Sequence, residues 1–236
     1  MKAPCVSVIF GTYNRFAFLK RAVESIRSSV KPYSYEIVIT DGGSTDGSLE
    51  WMRAQADIVI AETGNLRGAV SAFNAAWAAS IGGFVANFND DAEYVGDALC
   101  VGVQELQRSP SVGQVAFEFD LGGSWHHEAV CGLVYANFGV GPRDVIAKVC
   151  EKQGGPKNYW SPFYHTYAGD TEHSMWVWNL GYRVEPLKGA RVCDRGKQDD
   201  LRRRNDQIRS ARGDSYLFRN RWTSTEQILK HGTVKR

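Results

Sequence analysis

No apolar run in this chain of 236 residues approaches the roughly 18 that a membrane-spanning helix needs. Cysteine is sparse: Cys5, Cys100, Cys131, Cys150 and Cys193 are odd in number and far apart, with no CxxC pair. That argues against a disulfide scaffold or a zinc site and for reduced thiols. The histidines show no HExxH or other metal spacing. No repeat or low-complexity segment occurs, which removes solenoids, collagen and coiled coil as descriptions of the whole. Met1-Lys2-Ala3-Pro4-Cys5 enters a strand-like segment without a leader pattern, so the expected location is cytoplasmic. What is there is an ordinary globular mixture, 43% hydrophobic and 23% charged with a mean hydropathy of −0.33. It is long enough to bury a core without staples. The net charge of +2 conceals a division: residues 1–182 sum to −6 and residues 183–236 to +8. A basic end suits nucleic acid, anionic lipid, a phosphate-bearing ligand or a solvated helix. Leu201-Arg202-Arg203-Arg204-Asn205-Asp206 interleaves both signs as exposed helices do.

The first hundred residues alternate strand and helix patterns. Val6–Phe10, Tyr35–Thr40, Ile58–Ile60 and Phe84–Phe88 are short, largely β-branched or aromatic runs that end in polar or turn-forming residues. Between the first two, Phe18, Leu19, Ala22, Val23 and Ile26 recur at helical spacing, with Asn14 as the expected N-cap. Gly68–Ala79 reads as a further helix. This alternation predicts a mostly parallel, helix-covered sheet, whose ligands sit beyond the carboxyl ends of the strands. Three polar clusters lie at those ends: Thr12-Tyr13-Asn14-Arg15, Asp41-Gly42-Gly43-Ser44 and Asn89-Asp90-Asp91. In the less regular second half, strands are expected over Val112–Phe119 and Val130–Phe138, with a loop over Gly122–His127. Gly139-Val140-Gly141-Pro142 reads as punctuation, and helices are expected over Asp144–Lys152 and Glu172–Leu180. The expected organisation is one domain over residues 1–199, whose first half, to about 92, binds one ligand and whose second half builds the other side of a cleft, followed by a basic helical extension over 200–236.

Together these clusters resemble the family 2 glycosyltransferases of GT-A fold. The likeness rests on Val6–Arg15, Ile39–Gly47, the Asn65, Arg67-Gly68 and Asn74 group, Phe88-Asn89-Asp90-Asp91, and Gly169-Asp170-Thr171-Glu172 with Gly181-Tyr182 beyond. It covers roughly residues 5–185 in the family's order. It implies an α/β Rossmann-like GT-A domain with helices on both faces of the sheet. It also implies transfer of a sugar from a nucleotide-diphosphate donor to a saccharide or lipid-linked acceptor, with inversion and with Mn²⁺ or Mg²⁺. Carboxylate oxygens suit such a hard cation, which bridges phosphates and stabilises leaving-group charge.

Residue by residue, the resemblance makes Asp91 the metal ligand and Asp90 a contact to ribose or sugar. Asn89 stands where the family has its first Asp, and can still offer an amide oxygen. Asp41 corresponds to the acid that recognises the base, Thr12 and Tyr13 line its pocket beside Asn14, and Arg15 and Arg67 are partners for base carbonyls or phosphate oxygens. Asp170 matches the acceptor-activating base although Gly169 replaces the family's preceding Glu; Glu172 is the alternative. Asp194 stands near the place of a late metal-ligating His. Trp125, Trp160 and Tyr164 suit either sugar stacking or the core. The basic end is expected to be a surface helix, able to meet anionic membrane; no nucleic-acid partner is expected. Two rivals remain at this level, a nucleotidyltransferase of nucleotide-sugars and a non-catalytic nucleotide- or carbohydrate-binding module. The first wants a Gly-rich phosphate loop that Phe10–Arg15 does not supply.

Overall fold

The computed structural model of the chain describes residues 4–62, 67–120, 123–195 and 199–229. Asn65, Gly122 and the two ends of the chain lie outside the described residues. The first half alternates as its pattern predicts: β1 (Val6–Thr12), α1 (Phe16–Ser29), β2 (Tyr35–Asp41), α2 (Ser48–Gln55), β3 (Ile58–Ala61), α3 (Ala69–Ala79) and β4 (Phe84–Asn87). Then come β5 (Ala92–Val95), α4 (Ala98–Arg108), β6 (Val112–Asp120), β7 (Trp125–His126), β8 (Glu128–Val130), β9 (Leu133–Tyr135) and β10 (Gly139–Pro142). The chain continues with α5 (Arg143–Lys152), α6 (Gly169–Asn179), β11 (Arg183–Asp194), α7 (Asp200–Arg212), α8 (Asp214–Arg221) and α9 (Thr225–Leu229).

The strands order as β3-β2-β1-β4-β10-β6-β11-β5, with β7 at the side of β6. β3, β2, β1 and β4 pair in parallel; β10 runs against both β4 and β6, and β11 lies parallel to β6. Six strands therefore share one direction, and β10, β5 and β7 oppose it. Val8, Ile9, Phe10, Ile37, Val38 and Ile39 are almost fully buried, as expected for strands covered on both faces. The α1 stripe is fulfilled by Leu19, Ala22, Val23 and Ile26, all buried.

Three local expectations give way. Asn14 is no helix cap: it takes a left-handed φ of 51°, and its Oδ1 accepts the Thr45 N–H at 2.7 Å. Asp46 serves instead, accepting the Phe16 N–H at 2.9 Å and the Ser48 N–H at 3.1 Å, so one carboxylate anchors the start of two helices. The single strand expected over Val130–Phe138 is broken; its first part belongs to a small β8–β9 hairpin apart from the main sheet. The supposed punctuation Gly139–Pro142 is strand β10, in the middle of the sheet. Its glycines answer to close packing: a Cβ at Gly139 would meet the Val115 carbonyl at 2.7 Å, and one at Gly141 the Gly113 carbonyl at 2.9 Å. The C-terminal helices close on the domain, with Phe218, Trp222 and Ile228 in the same buried cluster as the central strands.

Candidate active site

Parallel pairing of β1 with β4, Ile9 opposite Asn87, brings the residues after both strands together. Thr12 Oγ1 donates to Asp90 Oδ2 at 2.8 Å. The Arg15 Nη1 donates to Asp90 Oδ1 at 2.9 Å and to Asp91 Oδ2 at 2.7 Å, and its Nε and Nη2 form a two-pronged pair with Asp199 at 2.8 and 3.0 Å. Arg202 Nη2 reaches the same Asp91 oxygen at 3.4 Å. Burial alone would disfavour charge on Arg15, but Asp90 and Asp91 outweigh it and hold the guanidinium well above its ordinary value. Burial pushes the Asp90 carboxyl up, and Arg15 pulls it back. Thr12, Arg15, Asp90, Asp91 and Arg202 line an open cleft of about 1110 Å³.

Thr12, Tyr13, Arg15, Asn89, Asp90, Asp91, Asp170 and Asp194 all line this cleft. Asn14 and Arg67 are exposed outside its lining. Asp41 is fully buried behind Gly42; its Oδ2 accepts the N–H groups of Gly43 and Ser44 at 3.1 and 3.0 Å, and its Oδ1 has no partner among the described residues. Arg15 departs most from its expected part, since every guanidinium nitrogen is already given to a carboxylate.

For a hard cation the donors are oxygens of the right kind. Asp91 Oδ1 has no hydrogen-bond partner among the described residues, and Asp194 stands one register step away, opposite Ala92 in the β11–β5 ladder. Asn89, next in sequence to this pair of aspartates, also lines the cleft and carries an amide oxygen. Among the described residues no three His, Cys, Asp or Glu side chains converge as a metal cage. The donor set therefore fits an ion that takes its remaining oxygens from phosphate and water, a habit of Mg²⁺.

Helix α6 brings Asp170 and Thr171 to the same cleft. Asp170 accepts from the Thr171 N–H at 2.7 Å, and burial drives its carboxyl up to about 6 against the pull of that bond. Glu128, another residue of the cleft wall, adds to the rise by its charge. Glu172 is different. It is wholly buried, outside the cleft lining, and surrounded by donors: Tyr164 Oη, Trp176 Nε1 at 3.2 Å, Trp222 Nε1 at 3.2 Å and Arg221 Nη1 at 3.4 Å. A carboxylate so bound has no free lone pair facing an acceptor. Trp160 lines the cleft with its ring 3.8 Å from that of Phe73, whereas Tyr164 is committed to Glu172 and Trp125 lies in β7 under Arg191.

Sequence reasoning missed Asp199, Arg202, Arg209, Arg219 and Glu128. Asp199 and Arg15 are 184 positions apart, and no local pattern joins them; for the arginines, the basic bias of the last fifty residues was the available signal.

A comparison with curated proteins by sequence finds no match. Among solved structures, the chain is similar to a mannosyltransferase, PcManGT from Pyrobaculum calidifontis, determined with GDP-Man and Mn²⁺: 19% identity, TM-score 0.65, covering 93% of this chain and 65% of that one. It is also similar to S. aureus TarS with UDP-GlcNAc, at 16% identity and TM-score 0.63, covering 83% of this chain and 59% of that one. The chain thus spans about three fifths of these proteins, and the likeness is one of fold. The model of the family described as glycosyl transferase family 2 matches residues 7–166, well over half of the sequence and including the β1 and β4 ends. The chain belongs to glycosyl transferase family 2.

Proposed function

We propose that the protein moves a sugar from a nucleotide-diphosphate donor to an acceptor hydroxyl with inversion. One observation supports this most: Asp170, raised to about 6, lines the same cleft as the Asp90–Asp91 pair at the strand ends. In this reading the nucleotide lies over Thr12, Tyr13 and Gly42. A divalent cation, Mn²⁺ or Mg²⁺, would be held by Asp91 and Asp194 with Asn89, and supplies positive charge to the departing diphosphate. Asp90, fixed by Thr12 and Arg15, accepts from donor hydroxyls. Asp170 accepts the proton of the attacking acceptor hydroxyl. Trp160 offers a ring face to a sugar, and Glu128 an additional acceptor for its hydroxyls. The acceptor is a saccharide, free or lipid-linked; a lipid-linked one would bring the basic C-terminal helices to an anionic membrane surface.

Asp170→Asn tests the assignment. A carboxylate base contributes about 10²–10⁴-fold, so transfer should fall by that factor, while the affinity for nucleoside diphosphate, read by thermal shift, stays the same. Full transfer in the variant overturns the assignment.

A further inference from the structure

A nucleotide-diphosphate donor, and any phosphorylated acceptor, brings negative charge into the cleft. Yet Arg15 is saturated by Asp90, Asp91 and Asp199, Arg67 lies outside the lining, and Arg202 leans on Asp91. Two other arginines line the cleft and have no carboxylate within ion-pair distance among the described residues: Arg209 of α7 and Arg219 of α8.

Arg209 is held in place. Its Nε donates to Ser215 Oγ at 3.0 Å, and its guanidinium lies 4.7 Å from the centre of the Tyr167 ring. Tyr167 is itself anchored, donating its hydroxyl to Asp206 at 2.8 Å. Asp206 is the acidic residue closest along α7 and spends an oxygen on that hydroxyl, not on Arg209. The two Nη groups therefore keep their hydrogen-bonding capacity, in an orientation fixed by stacking and by one bond. Ser215 lies in the same lining. A stacked guanidinium with a free fork and a second cation suits a group with several terminal oxygens and more than one charge.

We propose that Arg209 and Arg219 form a phosphate-binding subsite of the cleft. The proposal rests on the glycosyltransferase reading for its biological sense, but not for its chemistry. The phosphate comes either from the donor's diphosphate or from a phosphorylated acceptor. Both arginines are exposed, so neutralising them leaves the core untouched.

The test uses the full chain, its Arg209→Gln and Arg219→Gln variants, and Arg204→Gln as control. Arg204 is also exposed on α7 but outside the cleft lining, so it removes equal charge without touching the subsite. In one arm, calorimetry compares UDP and GDP with uridine and guanosine. A tenfold or greater loss of diphosphate affinity in the Arg209 and Arg219 variants, with nucleoside affinity kept, identifies the donor's phosphate. In the other arm, glycerol 3-phosphate is titrated with the nucleoside diphosphate saturating. A tenfold loss confined to the same variants identifies an acceptor phosphate. If wild type, Arg204→Gln and both cleft variants bind every probe alike, or wild type binds none, the subsite does not exist. Hydrolysis of UDP- and GDP-sugars by the wild type is read separately. Its absence counts against the glycosyltransferase reading, whatever the phosphate titrations give.

Discussion

Asp170 owes its basicity to burial and to the Glu128 charge, with no cation paired to it among the described residues. It must be ionised to accept a proton, so transfer should rise with pH up to about 6 and level off above it; a flat profile from pH 5 to 8 would remove it as the base. The same shift has a stability consequence. The native carboxyl keeps its proton up to about 6, while the unfolded chain releases it near 3.8. Native protein is thus favoured at the acid end of that interval and loses the advantage as pH rises through it. Asp170→Asn, which carries no charge, should be more stable than wild type at pH 8 by roughly 1–3 kcal/mol and equal to it near pH 3, as denaturant melts would read. Asp41 poses the opposite question, because its Oδ1 is buried with no partner among the described residues. Asp41→Asn should weaken nucleoside diphosphate binding by about 1.5–3 kcal/mol if a base N–H uses that oxygen. Equal affinities would leave Asp41 with only the Gly43–Ser44 turn to hold.

Helix α6 is clamped on both flanks of Asp170 by elements from the end of the chain. Upstream, the buried Asp214 carboxylate accepts the N–H groups of Thr166 and Tyr167 at 3.0 and 3.1 Å. It therefore fixes the loop that leads to Ala168, whose φ of 68° starts the helix. Downstream, Glu172 binds Trp222 and Arg221. Neutralising Glu172 strips the charge from a set of bonds formed inside the protein, and hydrogen bonds to charged groups are worth about 1.5–3 kcal/mol each. Glu172→Gln should accordingly lower the melting temperature markedly, while the surviving folded fraction transfers sugar with its pH limb still near 6. A dead but fully stable Glu172→Gln would make this residue, and not Asp170, the base.

For the molecule as a whole, residues 200–229 behave as part of the fold. Phe218, Trp222 and Ile228 are buried with the central core, and each fully buried side chain of this size contributes about 1.5–3 kcal/mol. Together they match much of the roughly 5–15 kcal/mol that holds a domain folded. A chain ended after Asp199 should lose its cooperative thermal transition, or melt far lower, and lose nucleotide binding with it. An undiminished transition would mean that 1–199 is a self-sufficient domain.

The sequence by itself determined the parallel half of the sheet, the helix stripe of α1 and the placement of Thr12, Asp90 and Asp91, because these depend on periodicities and strand ends that are local. It could not show that Gly139–Pro142 is a central strand, since glycines that normally interrupt a strand are there required by backbones packed within a methyl group's reach. Nor could it separate Asp170 from Glu172, two acids of one helical turn: only the tertiary structure turns one to the cleft and seals the other under Trp222. Arg15 shows the same limit. Its position after β1 is a local fact, but Asp199, arriving from 184 residues away, decides that its guanidinium is filled and leaves the cleft's open positive charge to α7 and α8.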